Sequence, residues 1–120
     1  RIIERKKQIH DLYVDSFSGI DDFSPQYFDP NCIPVHWFTS FFTSRKKDLM
    51  KYLLSKDIQT RQFFYPLHMQ PCYQDSDQVI KKPCPNSKLL YDMGISLPSS
   101  YNLAKNDQMR VIEEINNFFS

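Results

Sequence analysis

The chain has 120 residues, 15 Lys and Arg against 14 Asp and Glu, a formal net charge of +1, and 41% apolar and 15% aromatic residues. That length and apolar content specify one globular domain able to bury roughly 65–70% of its unfolded surface, and they exclude a disordered chain. The near-zero charge gives no bulk attraction to nucleic acid or to a membrane surface, no apolar run approaches the ~20 residues of a spanning helix, and no signal peptide is visible at the first residues.

Residues 1–18 have the pattern of an amphipathic helix, with Ile2, Ile9, Leu12, Tyr13 and Phe17 on one face and Arg5, Lys6, Lys7 and Asp11 outside it. No capping residue precedes Arg1, which is expected of a chain continuing from something longer. Gly19 is placed to end the helix. Residues 20–31, rich in Asp, Ser and Pro, read as a loop. Cys32 to Phe42, dense in Val, Trp, Phe and Thr, reads as a strand in which Trp37, the sole tryptophan, is expected in the core. Ser44 is the expected N-cap of a helix over 45–56 with Leu49, Met50, Leu53 and Leu54 as its apolar stripe. The basic run Arg45-Lys46-Lys47 in its first turn reads as a solvated face. Asp57 follows this helix and is expected to take the left-handed turn.

Ile58 to Phe64 reads as a second strand and 65–86 as a long loop. Asn86 or Ser87 is placed to cap a short helix ending at Met93 and Gly94. Ile95-Ser96-Leu97-Pro98 reads as a short strand that its proline places at a sheet edge. Residues 105–119 read as a last helix, with Met109, Ile112, Ile115, Phe118 and Phe119 inward and a weak start at Ala104. The fold class expected is α+β: a small antiparallel sheet of about three strands covered by helices.

Chemistry concentrates between Thr60 and Tyr73, where an Arg, a His, two Gln, two Pro and four aromatics fall within fourteen residues. Pro66 and Pro71 fix their own φ and bias Tyr65 and Gln70 to extended geometry, so a strand running out into a stiff extended loop is expected. Arg61 suits a phosphate, carboxylate or sugar oxygen through its planar fork, or else a structural salt bridge. His68 suits a hydroxyl or phosphate, or else a backbone carbonyl. Tyr65, Gln70 and Tyr73 suit the hydroxyls and apolar face of a sugar. Cys32, Cys72 and Cys84 follow no framework spacing and read as reduced thiols of a cytoplasmic protein. His68, Cys72 and Cys84 fit no standard zinc spacing, so no metal site is expected. Ser99, Ser100 and His68 form no hydrolase signature.

Four segments in register resemble one family. Ile58-Gln59-Thr60-Arg61 with Phe63-Phe64-Tyr65-Pro66-Leu67-His68, Val35-His36-Trp37-Phe38, Leu97-Pro98-Ser99-Ser100-Tyr101-Asn102-Leu103 and the basic helix bearing Tyr13 are similar to the C-terminal domain of the DegT/DnrJ/EryC1/StrS sugar aminotransferases, most of all perosamine and viosamine types. The resemblance implies residues 1–18 as a linking helix, with Ile2, Ile9 and Tyr13 packed on a large domain, and residues 19–120 as the small domain. It implies a homodimeric parent that uses pyridoxal phosphate (PLP) and glutamate to aminate C4 of a nucleotide-linked 4-keto-6-deoxy sugar. The lysine of the cofactor site lies in the large domain in that family, so the resemblance implies no catalytic and no cofactor-binding residue in this chain, and no activity for it alone. Arg61, Tyr65, His68, Gln70 and Tyr73 are then substrate-binding residues. A PLP-dependent sugar dehydratase of the same superfamily, or a non-enzymatic module binding a sugar nucleotide or a partner, are the competing readings.

Overall fold

A computed structural model of the chain describes residues 1–74 and 83–120. Helix α1 (Ile2–Ser16) is followed by strand β1 (Ser24–Pro25), strand β2 (Thr39–Phe42) and helix α2 (Lys46–Ser55). Strand β3 (Arg61–Gln62) leads through a 3₁₀ turn (Leu67–Met69) to helix α3 (Pro71–Gln74). Helix α4 (Pro85–Met93), strand β4 (Gly94–Leu97) and helix α5 (Lys105–Phe119) complete the order. The fold is α+β, with a four-stranded antiparallel sheet in the order β1-β2-β4-β3.

Register assigns the two faces of the sheet. Directly opposed residues share a face, and neighbours along a strand alternate. Phe41 opposes Ile95 and Thr39 opposes Leu97; these side chains are buried. Ser40 opposes Ser96, and Ser96 opposes Arg61, so these three form a row on the other face. The Ser40 and Ser96 hydroxyls are hydrogen-bonded at 2.9 Å.

Helix periodicity builds the core against the first face. Ile9 and Tyr13 of α1, with Phe17 one step of four further on, are all buried. On α5, Gln108, Val111, Ile112 and Ile115 follow the i, i+3, i+4, i+7 pattern and are buried. Leu49 and Leu53 of α2 join them. Phe23 stacks on Phe41 at 4.6 Å, and Phe17 meets both edge-on at 5.1 and 5.4 Å. Two buried polar groups reaching into this core are matched: Gln108 Nε2 donates to the Ile9 carbonyl at 2.8 Å, and the Tyr13 hydroxyl donates to the Pro98 carbonyl at 2.7 Å; the buried Thr39 hydroxyl opposite Leu97 has no partner among the described residues. Burial pushes the Tyr13 phenol up in pKa.

Several elements differ from the sequence reading. The expected strand over 32–42 shrinks to Thr39–Phe42, because His36 takes a left-handed φ of 49° and the chain bends at Trp37 and Phe38. That break ends the alternation which placed Trp37 in the core; Trp37 is 74% exposed. Strand β1 is a fourth strand, too short and too polar to carry a period. β4 is central rather than an edge, since Pro98 lies just past the last paired residue, Leu97, and removes no ladder donor.

Ser44 does not cap α2. Its hydroxyl and its N–H both donate to the Asp22 carboxylate, at 2.7 and 3.0 Å, while the Thr43 hydroxyl accepts the Arg45 N–H. The basic run is a solvated face at Arg45 and Lys47 but not at Lys46. Lys46 is buried, with its Nζ donating to the Tyr91 carbonyl; Arg45 is exposed with its guanidinium 4.3 Å over the Phe118 ring, and Lys47 is exposed. Gly19 lies beyond the end of α1. Met109 is exposed and Gln108 and Val111 take its expected place. Leu54 is exposed as well. Asp57 does take the left-handed turn, at φ 59°. The loop expected over 65–86 folds in part into the 3₁₀ turn and α3; residues 75–82 of it lie outside the described residues.

Candidate functional site

The sheet face opposite the core is the floor of a groove of about 730 Å³. The Ser40–Ser96 pair lies on the floor, with Arg61 beside it in the same row and Gln62 at the sheet edge. The segment from Cys32 to Phe38 forms one wall; Phe63, Phe64, Tyr65, Leu67 and α4 residues Leu90 and Tyr91 form the other. Arg61 is the one charged side chain among the described residues bordering it. A second groove, of about 990 Å³, runs along the other side of Arg61 between Lys6, Lys51, Ile58 and Ser99. Trp37, Phe38, Arg61 and Ser96 border both grooves and so form the divide between them.

Each wall is held from outside the groove. The Lys6 Nζ donates to the Trp37 carbonyl at 2.7 Å and to the Ser99 carbonyl, so α1 pins the backbone at Trp37. Burial lowers the pKa of Lys6. The His36 ring stacks on His10 of α1 at 3.8 Å and meets Phe28 edge-on at 5.3 Å. His36 is buried with its Nδ1 unpartnered, and burial first, then the His10 neighbour, lowers its pKa. On the opposite wall the buried Lys46 lies 4.5 Å from the Tyr91 ring, and that ring meets Tyr65 edge-on at 5.2 Å. Tyr65 is thus braced through Tyr91 to α2. Gly94 closes the α4–β4 junction: a Cβ there would sit 2.5 Å from the Leu90 carbonyl oxygen and 2.7 Å from the Phe63 ring.

Of the five residues singled out by sequence, Arg61 and Tyr65 come together on this groove. His68 sits on the 3₁₀ turn one residue beyond Leu67, half-buried and off both grooves. Gln70 turns back on the loop, its Nε2 donating to the Tyr65 carbonyl at 3.5 Å. Tyr73 is exposed on α3. Trp37, Phe38 and the Ser40–Ser96 pair are site residues that sequence reasoning missed. The signal for the serines was their polarity between apolar neighbours in two short strands.

Residues 1–116 match the DegT/DnrJ/EryC1/StrS aminotransferase family, and the chain belongs to it. It is 31% identical to a GDP-perosamine synthase of Escherichia coli O157:H7, over 98% of this chain and 32% of that protein. It is 28% identical to a GDP-perosamine synthase of Vibrio cholerae, over all of this chain and 33% of that protein. The chain therefore spans about a third of the length of these relatives. Among solved structures it superposes on DesV of S. venezuelae, in complex with a ketimine intermediate, with TM-score 0.89 at 20% identity, covering 98% of this chain and 32% of DesV. Helicobacter pylori PseC, an aminotransferase of pseudoaminic acid biosynthesis, gives TM-score 0.84 at 16% identity, covering 98% and 32%. These two likenesses speak for the fold. No helix among the described residues is long and apolar enough to cross a membrane.

Proposed function

We propose that this chain is the C-terminal third of a PLP-dependent aminotransferase that converts a nucleotide-linked 4-keto-6-deoxy sugar to its 4-amino sugar, and that it supplies substrate-binding residues. The observation that carries the reading is the groove itself: one cation among the described residues, Arg61, set between an aromatic wall with the Tyr65 phenol and a floor of paired serine hydroxyls. A sugar nucleotide has the matching parts: an anionic diphosphate, hydroxyls, and an apolar 6-deoxy face. His68, Gln70 and Tyr73, next along the same loop, would meet the substrate from outside the groove.

The described residues do not suit a resident PLP. Among the described residues no lysine borders the first groove, Lys6 and Lys51 border the second, and no carboxylate borders either one to pair with a pyridinium nitrogen. Lys6 is held by two backbone carbonyls and Lys46 is buried against a third. The cofactor, a glutamate donor and a dimer partner belong to the remainder of the parent in this reading.

The test is steady-state kinetics on the full-length parent beside its PLP absorbance spectrum. Arg61→Ala should lower kcat/KM roughly tenfold to a hundredfold, the loss of one charge-assisted hydrogen bond of about 1.5–3 kcal/mol. His68→Ala should act in the same direction. A binding contact equally strong in ground and transition states appears in KM, so KM should rise while cofactor occupancy is kept. Unchanged kinetics in both variants would remove the site; lost cofactor with unchanged KM would make the residues structural.

A further inference from the structure

We infer that the Trp37–Phe38 shelf on the divide between the two grooves receives the planar base of a nucleoside diphosphate whose phosphates pair with Arg61. This rests on the reading above and adds to it the place of the base. Trp37 is 74% exposed, a large apolar surface to leave in water. It is not a loose side chain on a loose loop: Lys6 holds its carbonyl, and the adjoining His36 is buried and stacked on His10. The Trp37 and Phe38 rings are stacked, 8° from parallel with centroids at 5.4 Å, so Phe38 backs the indole and holds its plane. Arg61 borders the same two grooves as that surface. A planar indole backed by Phe38, beside a cation, matches a ligand with a planar π-system joined to an anion. A base stacked there would send its phosphates to Arg61 and the sugar beyond them towards Tyr65. Because the shelf is held before the ligand arrives, little ordering is lost on binding.

Trp37 is the only tryptophan, so indole fluorescence of the 120-residue chain reports this shelf alone. The chain is titrated with GDP, with inorganic pyrophosphate and with guanosine, following emission with inner-filter correction and heat by calorimetry. GDP should quench the indole saturably. Pyrophosphate should displace GDP without quenching. Trp37→Leu should weaken GDP roughly tenfold, the effect of losing one base–aromatic stack, and leave pyrophosphate unchanged, whereas Trp37→Phe should keep most of the GDP affinity. Since Trp37 contributes little to the core, circular dichroism of both variants should match the parent chain. GDP binding that is silent in fluorescence and indifferent to Trp37→Leu would overturn the shelf while leaving the nucleotide reading intact; the shelf would then be a surface covered by the remainder of the parent. No binding of GDP by the folded chain would also overturn the shelf, and the substrate reading would stand or fall on the Arg61 kinetics of the full-length enzyme.

Discussion

His36 concentrates three unfavourable features in one residue: a left-handed backbone, a buried ring with an unpartnered Nδ1, and a second imidazole stacked at 3.8 Å. A non-glycine residue in that region carries strain of order 1–3 kcal/mol, and such strain persists only where its surroundings impose it. Here it turns the chain so that Trp37 faces the divide between the grooves. The groups around the ring are His10 stacked on it, Phe28 at its edge, and Asp11 and Lys7 further along α1; the Asp11 carboxylate is 3.3 Å from His10 Nδ1. Burial and the His10 charge together depress the His36 pKa below its ordinary 6.5. The unfolded chain therefore takes up the proton first as pH falls. The stabilising difference is complete above the ordinary histidine range and is lost on acidification through it. Urea unfolding at about pH 7.5 and about pH 5.5 should give lower stability at the acid value. His36→Asn keeps a side chain that tolerates left-handed backbone but cannot titrate, so its stability should change less between the two pH values. An equal slope in both proteins would assign the pH dependence elsewhere. Asp11 and Asp22, whose pKa values are lowered chiefly by hydrogen bonds from Lys7 and Ser44, act at a more acid range and do not confuse this window.

At the scale of elements, the junction of α4 and β4 shapes the groove. Gly94 is not there for conformational freedom, as its φ of −79° is open to any residue. It is there for closeness: the space a Cβ needs is taken by the Leu90 carbonyl oxygen and the Phe63 ring. Gly94→Ala should cost about 1–3 kcal/mol, the usual range for overpacking a rigid site, and it should displace Phe63 or α4. Thermal unfolding measures the first, and the Phe63 ring resonances report the second. Gly19→Ala, with open space around it, should be close to neutral by the same measurement. The contrast also shows what the sequence could tell. Both glycines read as helix stops, and only one stands at a junction the fold depends on, because closeness of approach is a tertiary property. The helices were legible wherever period and length agreed, as in α1, α2 and α5. The strands were not: β1 and β3 have two residues each, and pairing with a neighbour defines them. Ser44 had the residue type of a cap, but the nearby Asp22 carboxylate is a stronger acceptor for its hydroxyl and N–H.

At the scale of the whole molecule, the class of fold and the order of its main elements were readable from periodicity, and Arg61 and Tyr65, which border the candidate groove, stand in a proline-stiffened aromatic run. The place of Trp37 was not, because it depends on a left-handed turn at His36 that no glycine or turn signal marks in the sequence. Nor was the place of α1. The resemblance assigned its apolar face, Ile2, Ile9 and Tyr13, to a separate large domain. Ile9 and Tyr13 are instead 0% exposed inside this chain, packed with Phe41, Ile95 and α5, and only Ile2 remains in solvent at 63%. That division makes α1 an integral part of the core as well as the element that pins the groove through Lys6 and His10. It also predicts how the chain behaves by itself. Ile9→Ala would empty a fully buried site touching α5, whose Gln108 amide bonds the Ile9 carbonyl; it should cost about 2–5 kcal/mol, the range for truncating a core aliphatic. Ile2→Ala should stay within about 0.5 kcal/mol, as exposed substitutions do. Denaturant unfolding of the 120-residue chain gives both values. If α1 were a mere connector, the two variants would unfold alike and a chain beginning at Gly19 would retain the parent's melting transition. With Ile9, Tyr13 and Phe17 in the core, that shortened chain should lose cooperative unfolding altogether, since three of its largest buried side chains would be gone.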